Sequence, residues 1–426
     1  MKTIVPVDEI NATVTVPGSK SYTQRALITA ALAQGRSVIR DALVSEDTAY
    51  LIDALGRLGA GIKHDGASLT VDGTHGKPVC PSQRVMMGNN GTGLRLLASV
   101  AALCDGTVII DGSARMRQRP IQPLIDALRM LGVDAKCLQA NGCPPVQIDG
   151  AGIPGGRALL DAGLSSQFLS SLLLAAPYAA RNVMIHLQGP LASQPYVQIT
   201  LDVMAAFGVR VEQPAETSFA IEVPQTYTPR DYRVEGDVSS ATYFMAAAAV
   251  CGGTIRIANI GANSLQGDLR FTKILSAFGC SVRLSEDGLE ISGPLSKHED
   301  MSFDLGDVPD MVPALAAVSA FRRGKTCMKN IGHLRVKECD RIAALASELN
   351  RIGVTVEEKD DEMTVQGPPT KGGEIACFND HRIAMSFAVV GLSIPGITIT
   401  DPACVNKSFP DFWNILESLS VHATHT

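Results

Sequence analysis

The sequence lacks any apolar run long enough to cross a bilayer, which argues against an integral membrane protein. A spanning helix needs about 20 consecutive apolar residues, and no stretch here approaches that length. The N-terminal stretch MKTIVPVDEI reaches Pro6 and Asp8 before an apolar signal-peptide core can form. These two absences predict a cytoplasmic protein that has no membrane partner.

A basic excess is also missing. The chain has 37 Lys and Arg against 43 Asp and Glu, which gives a formal net charge of -6 at pH 7. Proteins that bind nucleic acid or membrane surfaces usually show a basic excess or a basic stripe. The charge balance therefore predicts no nucleic-acid partner, and any site for an anion must be local.

Motifs for disulfide scaffolds and metal sites are absent as well. The ten cysteines are scattered singly with no CxxC pair, and the eight histidines are dispersed with no HExxH. A disulfide framework or a zinc site requires closely spaced ligands of these types. We therefore expect no metal, and we expect most of the cysteines to be small buried residues.

What the sequence does contain is an internal repeat. A chain of 426 residues that is 46% hydrophobic can form two or more domains. A short β-branched strand, a polar loop, an amphipathic helix ending near Gly and a further strand recur about six times, with strand openings such as GRSVIRDAL, GTVIIDGSA and GTIRIANIG. Gly at each helix end suits a left-handed cap. The pattern predicts an α/β protein built from six similar modules.

The second helix of each repeat has a nearly all-apolar body, which predicts burial, but a polar start. These starts read PGSKSYTQR, GNNGTGLR, GLSSQ, GDVSSAT, GDVPDMVP and FNDHR. An N-cap explains one polar residue per helix, but it does not explain Lys, Arg, Gln and His as well. A helix N-terminus attracts anions. We therefore hypothesise that a small polyanionic ligand is held between two domains of three modules each.

At these helix starts the sequence is similar to the 5-enolpyruvylshikimate-3-phosphate (EPSP) synthase family. The similar segments run in family order from residue 17 to 412, and they are PGSKSYTQRA, GNNGTGLR, RMRQRPI, LSSQFL, VEGDVSSATYF, VPDMVPALAA, LRVKECDRI, FNDHRIAM and DPACVNKSFPDF. The resemblance implies the two-domain enolpyruvyl transferase fold, in which each domain has three βαβαββ modules with buried parallel helices. It implies a discontinuous first domain of residues 1–18 and 235–426, a second domain of 19–234, and an active-site cleft between them.

The resemblance also implies an activity. The family transfers the enolpyruvyl group of phosphoenolpyruvate to the 5-hydroxyl of shikimate 3-phosphate and releases phosphate, through addition, a tetrahedral intermediate and elimination. It uses neither a metal nor an organic cofactor. Two phosphates and two carboxylates must then be bound, which explains local cations in an acidic chain. The implied partners are these two substrates alone, with the protein as a monomer.

Residue roles follow from the resemblance, position by position. The proton-transfer residues are Lys20, Asp310 and Glu338, and the division of acid and base roles among them stays open. The residues implied for shikimate 3-phosphate are Lys20, Ser21, Arg25, Ser165, Ser166, Gln167, Ser193, Tyr196, Asp310, His333 and Lys337. The residues implied for phosphoenolpyruvate are Lys20, Asn89, Gly91, Thr92, Arg119, Gln167, Arg341, His381, Arg382 and Lys407.

The sequence departs from the family pattern at three places. His333 stands where the family commonly has Asn, Leu96 stands where many members have Pro, and Tyr22, Thr23 and Gln24 replace the more usual residues after Ser21. Lys20, Ser21 and Arg25 remain in place.

Parts of this sequence suggest three other functions, and the second of them, a kinase, is rejected. A UDP-N-acetylglucosamine enolpyruvyl transferase shares the fold, but it has a Lys-Asn pair where this chain has Lys20 and Ser21, and a catalytic cysteine where Arg117 and Arg119 lie. The segment RRGKT at 322–326 suggests a nucleotide-binding kinase, but Ser319 occupies the position of the first P-loop Gly. A non-catalytic repeat-built paralogue is the third alternative.

Overall fold

A computed structural model describes residues 1–421, which divide into two compact domains. The first consists of Met1–Pro17 and the described residues from Glu235 onward, and the second is Gly18–Val234. The predicted boundary put Gly18 in the first domain, one residue later than this division. Gly18 packs within the second domain, because a Cβ added to this glycine would come within 1.9 Å of the carbonyl oxygen of Asp41.

Within residues 1–421 each domain contains six α-helices. Those of the second domain are α1 Lys20–Leu32, α2 Glu46–Arg57, α3 Gly91–Ala101, α4 Gln122–Met130, α5 Gln167–Ala175 and α6 Pro195–Ala206. Those of the first domain are α7 Val238–Cys251, α8 Arg270–Ala277, α9 Val312–Ser319, α10 Arg341–Arg351, α11 His381–Gly391 and α12 Phe412–Val421. Among residues 1–421 no helix is both long and apolar enough to cross a membrane.

The strands form small sheets between these helices. In chain order they are β1 Lys2–Thr3, β2 Ile10–Val14, β3 Arg36–Arg40, β4 Gly61–Asp65, β5 Ser68–Asp72, β6 Val85–Met86, β7 Asp105–Asp111, β8 Asp134–Cys137, β9 Val146–Ala151, β10 Gly156–Asp161, β11 Val183–Gln188, β12 Glu212–Ala215, β13 Ser218–Ile221, β14 Asp231–Arg233, β15 Gly253–Ile257, β16 Ser281–Ser285, β17 Gly288–Ser292, β18 Met301–Asp304, β19 Thr326–Lys329, β20 Thr355–Glu358, β21 Glu362–Gln366, β22 Gly373–Ile375 and β23 Ile397–Ile399. In the described part of the chain, five sheets have four strands and one has three.

One module shows how the four-stranded sheets are built. Strand β6 pairs in parallel with β7, and β7 pairs antiparallel with β9, which also pairs with β8. A parallel pair requires a crossover, which α3 provides, while α4 connects β7 to the β8–β9 hairpin. This is a βαβαββ unit, and the predicted α/β fold class is confirmed.

Two modules take a strand from a distant part of the chain. Strand β2 precedes α1 in sequence but pairs in parallel with β15, and β14 precedes α7 but pairs in parallel with β3. In each domain, one sheet is thus completed by a strand that lies next to the point where the chain passes from one domain to the other. In the sixth sheet β1 from the N-terminus pairs antiparallel with β23.

The two helices of a module differ in how they are packed. In α7 every side chain from Val238 to Ala249 is buried, whereas α2 buries one face, which includes Leu51 and Leu55. The amphipathic helices end as the sequence predicted, since Gly59 and Gly132 follow α2 and α4 with φ angles of +97° and +89°. Because the bodies of the buried helices are closely packed in the core, the polar residues at their N-termini are held in fixed positions.

Candidate active site

In the first domain, Arg341 at the start of α10 holds three carboxylates. Its Nη1 donates to Asp310 Oδ1 at 3.1 Å, its Nη2 to Glu338 Oε2 at 2.7 Å and its Nε to Asp380 Oδ2 at 2.7 Å. Burial alone would lower the pKa of the guanidinium, but the charges of Asp380, Glu338 and Asp310 outweigh burial and raise it. Arg341 is therefore a permanent cation that fixes the positions of all three carboxylates.

A second arginine, Arg382 in the first turn of α11, binds the same Asp310. Its Nη2 donates to Asp310 Oδ2 at 2.8 Å, and its Nη1 donates to the Asp310 backbone oxygen at 3.2 Å. Asp380 caps α11 by accepting from the Arg382 backbone N–H at 2.9 Å. Charge-assisted bonds of this kind are strong and directional, so Asp310 is held by both of its carboxylate oxygens.

The three carboxylates differ in their exposure. The Asp310 side chain is 21% exposed, Glu338 is 9% exposed and Asp380 is fully buried. Asp310 therefore presents the most accessible carboxylate of the group, and each of its oxygens has a lone pair beyond the one that an arginine uses. This geometry permits Asp310 to accept a proton from a bound hydroxyl.

The segment of residues 332–338 brings three predicted site residues, His333, Lys337 and Glu338, to the region of Arg341. His333 lies in a 3₁₀ helix, Gly332–Val336, and Lys337 follows as its cap. Burial, and then the charge of Lys337, lower the pKa of His333 to about 4, so its imidazole is neutral at physiological pH. A neutral imidazole at this position can form hydrogen bonds but adds no charge.

The remaining predicted residues of this domain are buried. His381 is the first residue of α11, and its Nδ1 lies 3.7 Å from Asp380 Oδ1. Lys407 ends the 3₁₀ helix Pro402–Lys407, which packs on α11. The ring of His381 lies beside this capping carboxylate, which suits a positioning role.

In the second domain, Arg25 on α1 is a buried cation bound by neutral oxygens. It donates to Thr200 Oγ1 at 2.7 Å, to Tyr196 O at 3.1 Å and to Ser170 Oγ at 3.3 Å. Burial lowers the pKa of Arg25 to about 10, so it stays charged at neutral pH. Within residues 1–421 no carboxylate pairs with Arg25. A buried charge without an opposite charge is costly, and an anionic ligand would remove that cost.

Lys20, the first residue of α1, lies near a carboxylate of α2. Its Nζ is 3.2 Å from Asp47 Oδ2, and Asp47 is buried. The Asn90 side chain donates to the Asp47 backbone oxygen at 2.6 Å and accepts from the Gly93 backbone N–H at 2.8 Å, so it joins α2 to the start of α3. Asp47 therefore sets the position of the lysine amine.

The starts of α3 and α5 are connected through Gln167. Its Nε2 donates to Thr92 Oγ1 at 2.9 Å, and its Oε1 accepts from Arg95 Nη1 at 2.7 Å. Arg119 Nη1 donates to the Asn89 backbone oxygen at 3.1 Å. Gly91 opens α3 directly beneath Arg119, and a Cβ at Gly91 would lie 2.6 Å from Arg119 Nη2. A side chain at position 91 would therefore require the Arg119 guanidinium to move from this place.

The predicted serines and Tyr196 also lie at helix starts. Ser21 accepts from Arg25 Nη1 with its backbone oxygen at 3.0 Å, and Ser165 Oγ accepts from the Gln167 backbone N–H at 3.3 Å. Ser166 is at the N-cap position of α5, but no hydrogen bond from its side chain caps the helix. Ser193 adopts φ of +55° just before α6, where Tyr196 lies in the first turn.

Five residues of these two clusters were not predicted from the sequence, namely Asp47, Asn90, Ser170, Thr200 and Asp380. Asp47 looks like an ordinary acid in the first turn of a helix, and Ser170 and Thr200 lie inside apolar helix bodies. Asn90 and Asp380 had a usable signal, because they lie within GNNGTGLR and FNDHR at helix starts. Among residues 1–421 no group of three His, Cys, Asp or Glu could hold a metal ion.

Comparisons with known proteins all indicate the same family. The chain matches a family model described as EPSP synthase (3-phosphoshikimate 1-carboxyvinyltransferase) over residues 4–416. It is 47% identical over 405 residues to a 3-phosphoshikimate 1-carboxyvinyltransferase of Methanosphaerula palustris, covering 94% of this chain and 95% of that protein. It is 42% identical over 428 residues to the protein of the same name from Xenorhabdus nematophila, covering 99% of both. The structure of EPSP synthase from Acinetobacter baumannii is similar with a TM-score of 0.80 at 27% identity, over 98% of this chain and 97% of that one.

Proposed function

Since the chain belongs to the EPSP synthase family, we propose that its two clusters of polar helix starts bind the substrates of that reaction and that Asp310 takes part in proton transfer. The enzyme transfers the enolpyruvyl group of phosphoenolpyruvate to the 5-hydroxyl of shikimate 3-phosphate in the aromatic biosynthesis pathway. The observation that supports the proposal best is the position of Asp310, an accessible carboxylate held between Arg341 and Arg382.

The buried cation of the second domain supports the assignment of shikimate 3-phosphate. Arg25 is surrounded by the hydroxyls of Ser170 and Thr200 and by backbone oxygens, all of them neutral. Its proposed function is to compensate a phosphate, which Ser165 and Ser166 at the start of α5 would bind through hydroxyl and backbone N–H groups. Lys20, Ser21, Gln167, Ser193 and Tyr196 would contact the rest of this substrate.

The cations at other helix starts support the assignment of phosphoenolpyruvate. In the second domain Arg119 lies over Gly91 and bonds Asn89, and Thr92 bonds Gln167. In the first domain Arg341, His381, Arg382 and Lys407 lie at or near the start of α10 and α11. Arg119, Arg341, Arg382 and Lys407 would hold the phosphate and carboxylate and would stabilise the charge that develops as phosphate leaves, with His381 as a positioning residue.

The proposed reaction proceeds by addition and elimination. Asp310 or Glu338 accepts the proton of the 5-hydroxyl, and that oxygen attacks C2 of phosphoenolpyruvate while an acid, for which Lys20 is one candidate, protonates the methylene carbon. The tetrahedral intermediate then loses phosphate with its C–O electron pair, and a base removes a methyl proton to restore the double bond. Asp310 is favoured as the first base because it is the most exposed of the three carboxylates on Arg341.

The proposal also covers the oligomeric state of the enzyme and the compartment in which it acts. We propose that the enzyme acts as a monomer in the cytoplasm, with residues of both domains taking part, and with His333 and Lys337 on the shikimate 3-phosphate side. The neutral imidazole of His333 would then bind a ring hydroxyl by hydrogen bonding rather than by charge.

The direct test measures phosphate release from phosphoenolpyruvate. We expect release that requires shikimate 3-phosphate, continues after exhaustive chelation, and does not occur when UDP-N-acetylglucosamine replaces it as acceptor. Release only with the nucleotide sugar would assign the protein to the other enolpyruvyl transferases. Absence of release with either acceptor would contradict the proposal and favour a non-catalytic paralogue.

Replacing Gly91 by Ala should weaken phosphoenolpyruvate binding selectively. The new Cβ would lie 2.6 Å from Arg119 Nη2, so the guanidinium must move away. We expect KM for phosphoenolpyruvate to rise about tenfold, equal to about 1.4 kcal/mol, with KM for shikimate 3-phosphate nearly unchanged. Steady-state kinetics with each substrate varied in turn measures both constants.

The matched control is Gly56→Ala. Gly56 is also helical, but an added Cβ there meets no atom within 4 Å, so both KM values should stay at the wild-type level. An unchanged KM for phosphoenolpyruvate in Gly91→Ala would remove Arg119 from the binding of that substrate.

A further inference from the structure

A buried carboxyl that has no part in the mechanism above lies in a turn that packs on α7, as does the 3₁₀ turn Pro309–Met311 that carries Asp310. Asp268 belongs to the 3₁₀ turn Gly267–Leu269, immediately before α8. Its Oδ2 accepts a hydrogen bond from the Ser239 hydroxyl in the first turn of α7. The neighbouring Gln266 donates to the Gly236 backbone oxygen at 2.7 Å. The segment that contains Asp268 is therefore hydrogen-bonded to the start of a helix whose side chains are buried from Val238 to Ala249.

The surroundings of Asp268 do not suit a negative charge. The side chain is buried, and its Oδ1 has no hydrogen-bond partner among residues 1–421. Ionising a buried carboxyl that receives one hydrogen bond from a neutral hydroxyl costs free energy, because lost hydration is not replaced. Asp268 is thus unlike Asp310, Glu338 and Asp380, each of which is paired with an arginine.

The charged groups that act on Asp268 include residues of the proposed active site. Burial, and then the negative charge of Asp310, raise the pKa of Asp268 to about 7. The hydrogen bond from Ser239 and the charge of Arg382 lower this pKa, and the charge of Asp237 raises it. Because electrostatic interaction is mutual, the charge of Asp268 must also act on Asp310 and Arg382.

We propose that Asp268 is a positioning residue for the reaction, a buried acid whose ionisation changes how firmly Arg382 binds Asp310 and anionic substrate. The proposal rests on the proposed roles of Asp310 and Arg382. In its neutral form Asp268 leaves the charge of Arg382 available to phosphoenolpyruvate. When Asp268 loses its proton, its negative charge attracts Arg382 and repels Asp310 and the substrate phosphate. Affinity for phosphoenolpyruvate then falls as pH rises through neutrality.

The test compares the pH dependence of KM in Asp268→Asn and in the wild type. Asn has the same shape and can bond Ser239, but it cannot ionise. We expect KM for phosphoenolpyruvate to rise between about pH 6 and about pH 8 in the wild type by three- to tenfold more than in Asp268→Asn, with similar kcat near pH 6. Ionisation of the substrates affects both proteins equally and cancels in this comparison.

Two further variants make the experiment specific. Ser239→Ala removes a hydrogen bond that lowers the pKa of Asp268, so the rise in KM should shift to higher pH. Glu348→Gln is the matched control, since Glu348 is a buried carboxyl of the same domain that pairs with Arg351. Its pH profile should follow the wild type. Parallel profiles in the wild type and Asp268→Asn, or an unshifted profile in Ser239→Ala, would overturn the role of Asp268.

Thermal unfolding gives a readout that does not depend on turnover. The pKa of Asp268 is higher in the folded chain than in an unfolded one, so the stability that its protonated form provides is lost as pH rises through about 7. The midpoint of Asp268→Asn relative to the wild type should therefore increase by a few degrees from about pH 5 to about pH 8. A constant difference would contradict the proposal. If the wild-type protein releases no phosphate at all, that result contradicts the proposed function and not the role of Asp268.

Discussion

Asp310→Asn is expected to lower kcat by about 10²- to 10⁴-fold, the range that a positioned general base contributes. Asn preserves the size of the side chain, and one of its two polar atoms can still accept from an arginine. KM for both substrates should therefore change by only a few-fold. Stopped assays of phosphate release, with each substrate saturating in turn, separate the two constants. A kcat near the wild-type value would exclude Asp310 from the chemistry.

Asp340→Asn is the control for that experiment. Asp340 lies close in sequence to Glu338 and caps α10 by accepting from the Ala343 backbone N–H at 3.1 Å, and it pairs with Arg335 rather than Arg341. Asn caps a helix about as well as Asp, so the fold of this segment should persist. We expect nearly normal kcat, which would show that the loss in Asp310→Asn is not a general effect of removing a carboxylate from this region.

Arg341→Met is expected to destabilise the protein by about 3–5 kcal/mol, as removal of one partner from a buried ion pair does. The substitution leaves Asp380 and Glu338 buried and without the arginine that compensates them. Such carboxylates acquire raised pKa values, so the folded protein takes up protons and becomes more stable, relative to the wild type, as pH falls. Urea unfolding at about pH 5 and about pH 8 should show a smaller deficit at the lower pH.

Arg322→Met tests whether the carboxylates cause this loss. Arg322 is a buried arginine of the same domain, but it donates to the backbone oxygens of Lys297 and Glu299 and stacks on the Phe278 ring. Its removal leaves neutral groups unpaired, which costs about 1–3 kcal/mol each. We expect a deficit in Arg322→Met that does not depend on pH. The same pH-independent deficit in Arg341→Met would mean that its carboxylates are not left charged and buried.

Much of the fold was predictable because the signals are local. The β-branched strand openings and the glycines that end the amphipathic helices, such as Gly59 and Gly132, depend on backbone preferences of a few residues. Repetition of these signals along the chain made six modules visible, and their apolar helices could only be buried. The pairing of β2 with β15 and of β14 with β3 was not visible, because it joins segments that are far apart in sequence.

For the site too, some features could be predicted from local sequence and others could not. Polar residues at helix starts, and their similarity to one family, determined which residues to consider, from Lys20 to Lys407. Only the tertiary structure decided what each cation does. Arg25 and Arg341 both lie near a helix start in the sequence, yet Arg25 is bound by neutral oxygens alone, whereas Arg341 also fixes the positions of three carboxylates. The difference arises because charge compensation depends on distances of about 3 Å between residues that the chain places far apart.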